Sequence, residues 1–418
     1  MPVRQGMWMA VTLFRAKKLE KFKQKILRRS SFRARPYDKN AKFDSNELET
    51  DLLSGNFTFD NFDKRGKEKY FYMCKSLQDE VVLHSLNKVI KGLYSVKQAD
   101  RNLMVKQMLS LLEEDHEKYI YRLDIKSFYE NISLFKCIKK LIDDGLLASE
   151  YEHALWSFYN SIKPLLDRIS GTKGLPRGLN ISATLSEIYM RDFDSGVKKI
   201  EGVYYYARYV DDIIIFSTIP LHIKHSLSKL LPNGLSFNFN KNKSFSVAPS
   251  LGAEGTKCGD SSHSLDFLGY NFLFDSTYEE NSRVKVGLSN NKLARFKKRL
   301  HNSFWHYRRF GNKKNLIKRI SFLTNNFAID QNKADSDTLY SGIYYNYQRI
   351  NDEAQLAKLD KLLYYYINLS PEYSRFHIEK ELKDQLSTFS FINGFRTRSK
   401  KLFSPNDIRK IKGIWNEH

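Results

Sequence analysis

The sequence predicts an α+β fold on three observations. Between residues 118 and 274, short β-rich apolar runs (KYIYRLDI, YYYARYV, DIIIFS, LDFLGYNFLF) alternate with helical stretches, without the regular strand–helix repeat of a parallel sheet. Ahead of them, residues 56–72 (NFTFDNFDKRGKEKYFY) read as a hairpin turning on Lys64-Arg65-Gly66-Lys67. Beyond about residue 287 the chain becomes helical and basic (KLARFKKRLHNSFWHYRRF), runs through LDKLLYYYINL, and starts a last helix at Ser404 before Pro405-Asn406-Asp407.

The remaining elements follow from periodicity. Residues 1–40 hold twelve Lys/Arg against two acids, Glu20 and Asp38. Within FRAKKLEKFKQKILRR, Leu19, Phe22 and Ile26 fall at helical spacing, which predicts a basic amphipathic helix. Its charged face is either solvated or in contact with nucleic acid. Residues 77–115 read as helices with Leu83, Leu86, Val89, Ile90 and Leu93 on one face, and 252–264 as a Gly/Ser-rich loop. There are no internal repeats.

The chain has 418 residues, 69 Lys+Arg against 47 Asp+Glu and a net charge of +22. That excess calls for a polyanionic partner, with nucleic acid as the default. The 25 tyrosines and 29 phenylalanines fill a core, and those beside Lys or Arg can stack on bases. Cys74, Cys137 and Cys258 are far apart, without C-x-x-C, so neither a zinc site nor a disulfide framework is expected. No apolar run reaches the ~18 residues of a membrane span. The stretch Trp8 to Phe14 is followed by basic residues, the wrong order for a secretory signal. These features together lead us to expect a soluble cytoplasmic protein.

The chemistry concentrates at Tyr209-Val210-Asp211-Asp212, where YYYARYVDDIIIFS reads as strand, tight turn, strand. Two like charges between apolar strands repel each other unless a cation lies between them, and a hard divalent ion such as Mg²⁺ suits such oxygen ligands. Upstream, in KYIYRLDIKSFYENIS, Asp124 ends an apolar strand and Tyr129 follows five residues later. Three aspartates converging on adjacent strands suit a two-metal nucleotidyl-transfer site. An aromatic just beyond the first of them can sit under the incoming sugar and exclude a 2′-hydroxyl. Between these segments, GTKGLPRGLNISATLSEIYMRDFD opens with a Gly/Pro loop whose Arg177 would point outward. It then starts a helix near Ser182 with Leu185, Ile188 and Tyr189 inward, a place to hold a nucleotide or template strand.

This ordered set resembles the reverse transcriptases over roughly residues 55–275. LDIKSFYENI is similar to their first palm motif, GLPRGLNISATLSE to the second, YVDD to the third, and LSFNFNKNKS and LDFLGYNF to the fourth and fifth. The resemblance implies a right-hand polymerase of fingers, palm and thumb. Its divisions would be a basic helical extension over 1–54, fingers over 55–117, a palm with an antiparallel sheet over 118–286 and a helical thumb over 287–418. LPRGLNISATLSEIYM, RISFLTNNFAI followed by SGIYYNY, and the closing IRKIKGIW resemble the bacterial antiphage set, the abortive-infection and defence-associated reverse transcriptases. The chain departs from the commonest pattern at Arg177, where many members have Gln, and at Ser182-Ala183, in place of a Ser-Pro pair.

Carried over on that resemblance, Asp124, Asp211 and Asp212 bind two Mg²⁺ ions, for which Mn²⁺ can substitute, and the Ile125 carbonyl is a backbone ligand. Tyr129 gates the sugar and Arg177 sits beside the nascent base pair. Lys64, Arg65 and Lys69 are candidates to hold the triphosphate, and Lys241 or Lys243 to protonate the leaving pyrophosphate. Tyr209 and Tyr270 support the primer strand, or Tyr270 packs the palm. The implied partners are an RNA template, such as a dedicated noncoding RNA, a DNA product, dNTPs, and a second reverse transcriptase or further copy of the chain. The alternatives are template-independent or protein-primed DNA synthesis, a nucleic-acid-binding scaffold with a retired active site, and an intron maturase. No Cys/His endonuclease pattern follows the palm, and the last ~140 residues do not resemble a ribonuclease H domain. His116, His222 and His225 lack metal-ligand spacing.

Overall fold

The Asp-Asp segment lies on a four-stranded antiparallel sheet in the computed structural model of the chain. The structure describes residues 14–30, 43–60, 62–66, 70–114, 118–170, 174–222, 226–239, 245–247, 263–274, 284–328, 340–369 and 378–415. Lys67, Lys69, Lys241, Lys243, His116, His225, Cys258 and most of the 252–264 loop fall outside them. The chain divides into two compact units. One is Met1–Arg28, Tyr37–Asp100 and Glu117–Ser250; the other is Arg29–Pro36, Arg101–His116 and Leu251–His418.

In the first unit, β1 (Phe62–Arg65) and β2 (Phe71–Cys74) form an antiparallel hairpin. Lys64 pairs with Tyr72 and Arg65 with Phe71, so both cations belong to a strand rather than to the turn the sequence suggested. The reach of the ladder explains the difference: pairing continues to Arg65, and Gly66, at φ 109°, begins the reversal. The main sheet has the order β4 (Val203–Tyr209), β5 (Asp212–Ser217), β3 (Tyr119–Asp124), β6 (Phe245–Val247). Ile213, Ile214, Ile215 and Phe216 are all fully buried, which is why this strand lacks the alternation of a half-exposed one.

The helix Leu77–Leu93 is started by Ser76, whose hydroxyl accepts from the Asp79 N–H at 3.0 Å, and it packs Leu83, Leu86, Val89 and Ile90 inward. The helices expected over 77–115 form as Leu77–Leu93 and Arg101–Glu113; Ser95, at φ 49°, lies between them, and the second belongs to the other unit. Asn180–Tyr189 starts two residues before the expected Ser182 and buries Leu185 and Ile188. The basic helix forms as Ala16–Ser30, and its Leu19, Phe22 and Ile26 are part of the first unit's core. Lys17, Lys18, Lys21 and Lys25 stay exposed.

The second unit holds β7 (His263–Phe267), β8 (Tyr270–Phe274) and β9 (Val284–Leu288) as an antiparallel meander. The sequence run LDFLGYNFLF is two strands, because Leu268 and Gly269 both take positive φ (48° and 84°) and close a two-residue hairpin. Helices Asn290–Phe310, Lys313–Thr324 and Ala354–Ile367 follow, with a small sheet of β10 (Asn326–Ala328), β11 (Tyr340–Gly342) and β12 (Lys400–Lys401). The last helix, Pro405–Gly413, has the expected start: Ser404 and Asp407 form a reciprocal capping box with Pro405 in the first turn. No described helix is long and apolar enough to cross a membrane.

The two faces of Ala16–Ser30 should separate by experiment. Leu19→Ala should cost about 2–5 kcal/mol, seen as a lower denaturant midpoint. Lys17, Lys21 and Lys25 changed together to Glu should leave the midpoint nearly unchanged. If this face touches nucleic acid, the same triple change will flatten the slope of log K against log salt.

Candidate active site

The strand register brings the sequence-distant acids together. Asp124 ends β3 directly opposite Asp212, the first residue of β5. Asp211 occupies the two-residue turn between β4 and β5, after Val210, whose φ of 61° is a seat normally taken by glycine. A β-branched residue there stores strain of roughly 1–3 kcal/mol, so the surroundings must hold it. Tyr209 ends β4 as the partner of Asp212 on its other side and is half-buried.

Arg208 provides the hold. It is 5% exposed, yet its guanidinium donates to Glu187 at 2.7 Å, to Asp194 at 2.8 Å and to the Val210 carbonyl at 3.1 Å. The Tyr206 hydroxyl joins by donating to Asp194 at 2.6 Å. Burial works against the charge on Arg208, but the Asp194 hydrogen bonds and the two carboxylates outweigh it and hold its pKa above the usual value.

Backbone bonds align the flanking segments. The Ile125 N–H donates to the Asp211 carbonyl at 3.1 Å, the Asn238 N–H to the Asp124 carbonyl at 2.8 Å, and the Lys126 N–H to the Ser236 carbonyl at 2.9 Å. Asn238, from the LSFNFN segment, also donates its amide to the Asp124 carboxylate at 3.2 Å. Asp212 faces Arg122, at 3.4 Å. Burial raises the Asp212 carboxyl to about 6; Arg122 opposes this, and the charges of Asp211 and Asp124 reinforce it. Those opposing charges are the electrostatic sign of three clustered acids. An all-oxygen carboxylate set fits a hard divalent cation by its chemistry. Among the described residues, however, no three acidic, His or Cys side chains stand in a metal-holding group; Asp124 accepts from the Asn238 amide and Asp212 from Arg122.

Tyr129 lies beside this cluster. Burial raises its phenol pKa, against a hydrogen bond with Ser186 and the Arg177 charge, while Asp211 adds to the rise. The Arg177 guanidinium lies 5.2 Å from the centre of the Tyr129 ring and pairs with Glu130 at 2.9 Å. Arg177 is thus turned inward to a carboxylate, unlike the outward placement expected from its loop. The loop itself is clamped: the Leu175 N–H donates to the Tyr129 carbonyl at 2.7 Å, and the Tyr72 N–H of β2 to the Arg177 carbonyl at 2.7 Å. A side chain at Gly174 would meet the Glu130 backbone at 2.5 Å, and one at Gly178 the Tyr72 carbonyl at 2.8 Å.

Other expected residues lie elsewhere or are otherwise engaged. The Lys64 ammonium sits 3.8 Å over the Tyr70 ring, and Arg65 is half-buried on β1. Tyr270 belongs to the second unit and is fully buried against Phe272 and Tyr347, so its ring packs a core and offers no surface to a strand. His222 is exposed. Sequence reasoning missed Arg122, Asn238, Glu130, Ser186 and the Arg208–Glu187–Asp194 network. Arg122 was within reach, two positions before Asp124 and therefore on the same side of the strand. Asn238 stands inside a segment already singled out.

Residues 74–272 match the family described as reverse transcriptase (RNA-dependent DNA polymerase). This stretch, a little under half of the chain, contains all three aspartates, Tyr129 and Arg177, and over it the chain is similar to the reverse transcriptases, whose members typically use divalent metal ions. No curated protein matches the chain.

Replacing Arg208 by Met should leave the partly buried Glu187 and Asp194 without their counter-charge and release the Val210 carbonyl. The expected cost is about 3–5 kcal/mol, measured by equilibrium unfolding.

Proposed function

We propose that the chain is an RNA-directed DNA polymerase, with Asp124, Asp211 and Asp212 holding two Mg²⁺ ions. The observation that carries this reading is the register pairing Asp124 with Asp212 beside Asp211, inside a stretch that matches the reverse-transcriptase family. On this reading the β3–β6 sheet is the palm, the β1–β2 hairpin belongs to the fingers, and the helices after residue 287 form the thumb. Placement among antiphage reverse transcriptases, with a noncoding RNA as template, is supported by the sequence segments that resemble that set.

Bound ions would supply the charge that activates a 3′-hydroxyl and offsets the triphosphate. The chain's own residues do the rest. Asp124 and Asp212 must turn from Asn238 and Arg122 to face the ions; loss of mutual repulsion favours that turn. Arg208 keeps the Asp211 turn in place while the carboxylates move. Tyr129, fixed by Ser186 and by its backbone bond to Leu175, presents its ring to the sugar. Arg177, steered by Glu130, lines the same side for the base pair or template. Lys64 and Arg65 approach the triphosphate.

Asp124→Ala or Asp211→Ala should lower nucleotide incorporation by orders of magnitude. Unfolding should show little loss of stability, because a repelling carboxylate is removed. Near-normal incorporation with Mg²⁺ present would sink the metal assignment.

Tyr129→Val should admit ribonucleotides while weakening deoxynucleotide use only modestly. Paired dNTP and rNTP incorporation assays on wild type and variant, read beside their melting temperatures, check this. A folded variant that still rejects rNTPs would remove Tyr129 from sugar selection.

A further inference from the structure

The second unit contains a pocket of about 300 Å³ lined by Arg101, Leu268, Lys292, Arg295, Phe296, Arg299, Asn346 and Tyr347. Four of these side chains are cationic. Three stand on one stripe of the helix Asn290–Phe310, at the i, i+3 and i+7 spacing of Lys292, Arg295 and Arg299. Arg101 enters from another helix and is anchored by donating to the Leu268 carbonyl at 2.9 and 2.6 Å and to the Asn346 carbonyl at 2.7 Å. Those neutral acceptors fix its direction without cancelling its charge. Among the described residues, no carboxylate lies within ion-pair distance of any of the four.

The helix end adds to the imbalance. Its first turn carries no acid, and Ser289 makes no side-chain cap, so Lys292 stands at the positive end of the helix dipole. Burial lowers the Lys292 pKa and the charges of Arg295, Arg101 and Arg299 lower it further; Arg299 is lowered by burial and by Arg295. An anion in the pocket relieves all of these repulsions together. Phe296 and Tyr347, with ring centres 6.2 Å apart, supply an aromatic wall.

The geometry points to this pocket as a polyphosphate site, taking the di- or triphosphate of a nucleotide, free or at the 5′ end of a strand. Charge matching favours a polyphosphate over a backbone phosphate. One phosphodiester brings a single negative charge, whereas a triphosphate brings about four in one compact chain, as converging cations require. The aromatic wall suits the attached base. The site is built wholly from the second unit and does not depend on the assignment of the aspartates.

Calorimetric titration of the full chain with sodium tripolyphosphate in EDTA tests this, because chelation silences any metal-dependent triphosphate binding. We expect one site per chain, unchanged by Asp211→Ala and weakened at least about tenfold by Lys292→Gln with Arg295→Gln. Arg295 is exposed, so Arg295→Gln alone serves as a variant that cannot disturb the core, and it should weaken binding in the same direction. Competition by ATP would identify a free nucleotide as the source. Competition by a 5′-triphosphate RNA, but not by ATP or the 5′-hydroxyl strand, would identify a strand end. Absence of tripolyphosphate binding, or equal binding by wild type and double variant, would overturn the proposal. So would a double variant that weakens both strands equally and leaves tripolyphosphate untouched, since that is the behaviour of a backbone contact.

Discussion

The buried guanidinium of Arg208 is the interaction on which the acidic turn depends. It is nearly sealed from water, so its charge is tolerable only with Glu187 and Asp194 both in place. Its remaining bond, to the Val210 carbonyl, spends that rigidity on one strained residue. The network joins β4 to the helix Asn180–Tyr189, through Glu187, and to the helix Arg191–Lys198, through Asp194. Two helices and a strand therefore agree on the position of a two-residue turn.

Around that turn, electrostatics and geometry pull in opposite directions. The β3–β5 register forces Asp124 and Asp212 to be neighbours, and the hairpin puts Asp211 beside them. Burial, reinforced by the charges of Asp211 and Asp124, raises the carboxyl of Asp212, while Arg122 faces Asp212 and Asn238 donates to Asp124. The sheet overrides the repulsion because its central strand is apolar and fully buried, a far larger contribution than the Coulomb term at a partly hydrated turn.

The parts legible in the sequence were those with local signatures. The strand pattern of DIIIFS and the Ser404 helix start formed as read; of the acids expected at the tight turn, Asp211 lies in it and Asp212 begins the next strand, and the expected helix face buries Leu83, Leu86, Val89 and Ile90 fully and Leu93 in part. Less legible were features decided by distant partners. The ring of Tyr270 looks the same in sequence whether it faces a strand or a core; burial against Tyr347, 77 residues later, decides it. Arg177 sits in a loop that reads as exposed, yet Glu130 draws it inward. Arg208 reads as one more cation in a basic chain, since both its carboxylate partners lie 14 or more residues away. The basic helix was read correctly in its periodicity, but only the packing of Leu19, Phe22 and Ile26 shows that it belongs to a core.

The clamped loop of Gly174 to Leu179 has a mechanical consequence. It is tied at one end to the hairpin, through Tyr72 and Arg177, and at the other to the Tyr129 backbone, through Leu175. Neither Gly174 nor Gly178 leaves room for even a methyl group, so there is no slack on either side. A displacement of β2 must then break the Tyr72–Arg177 bond or travel along the loop to the tyrosine. The hairpin and the aromatic seat move as a linkage, and a change that tilts one retunes the other at a distance.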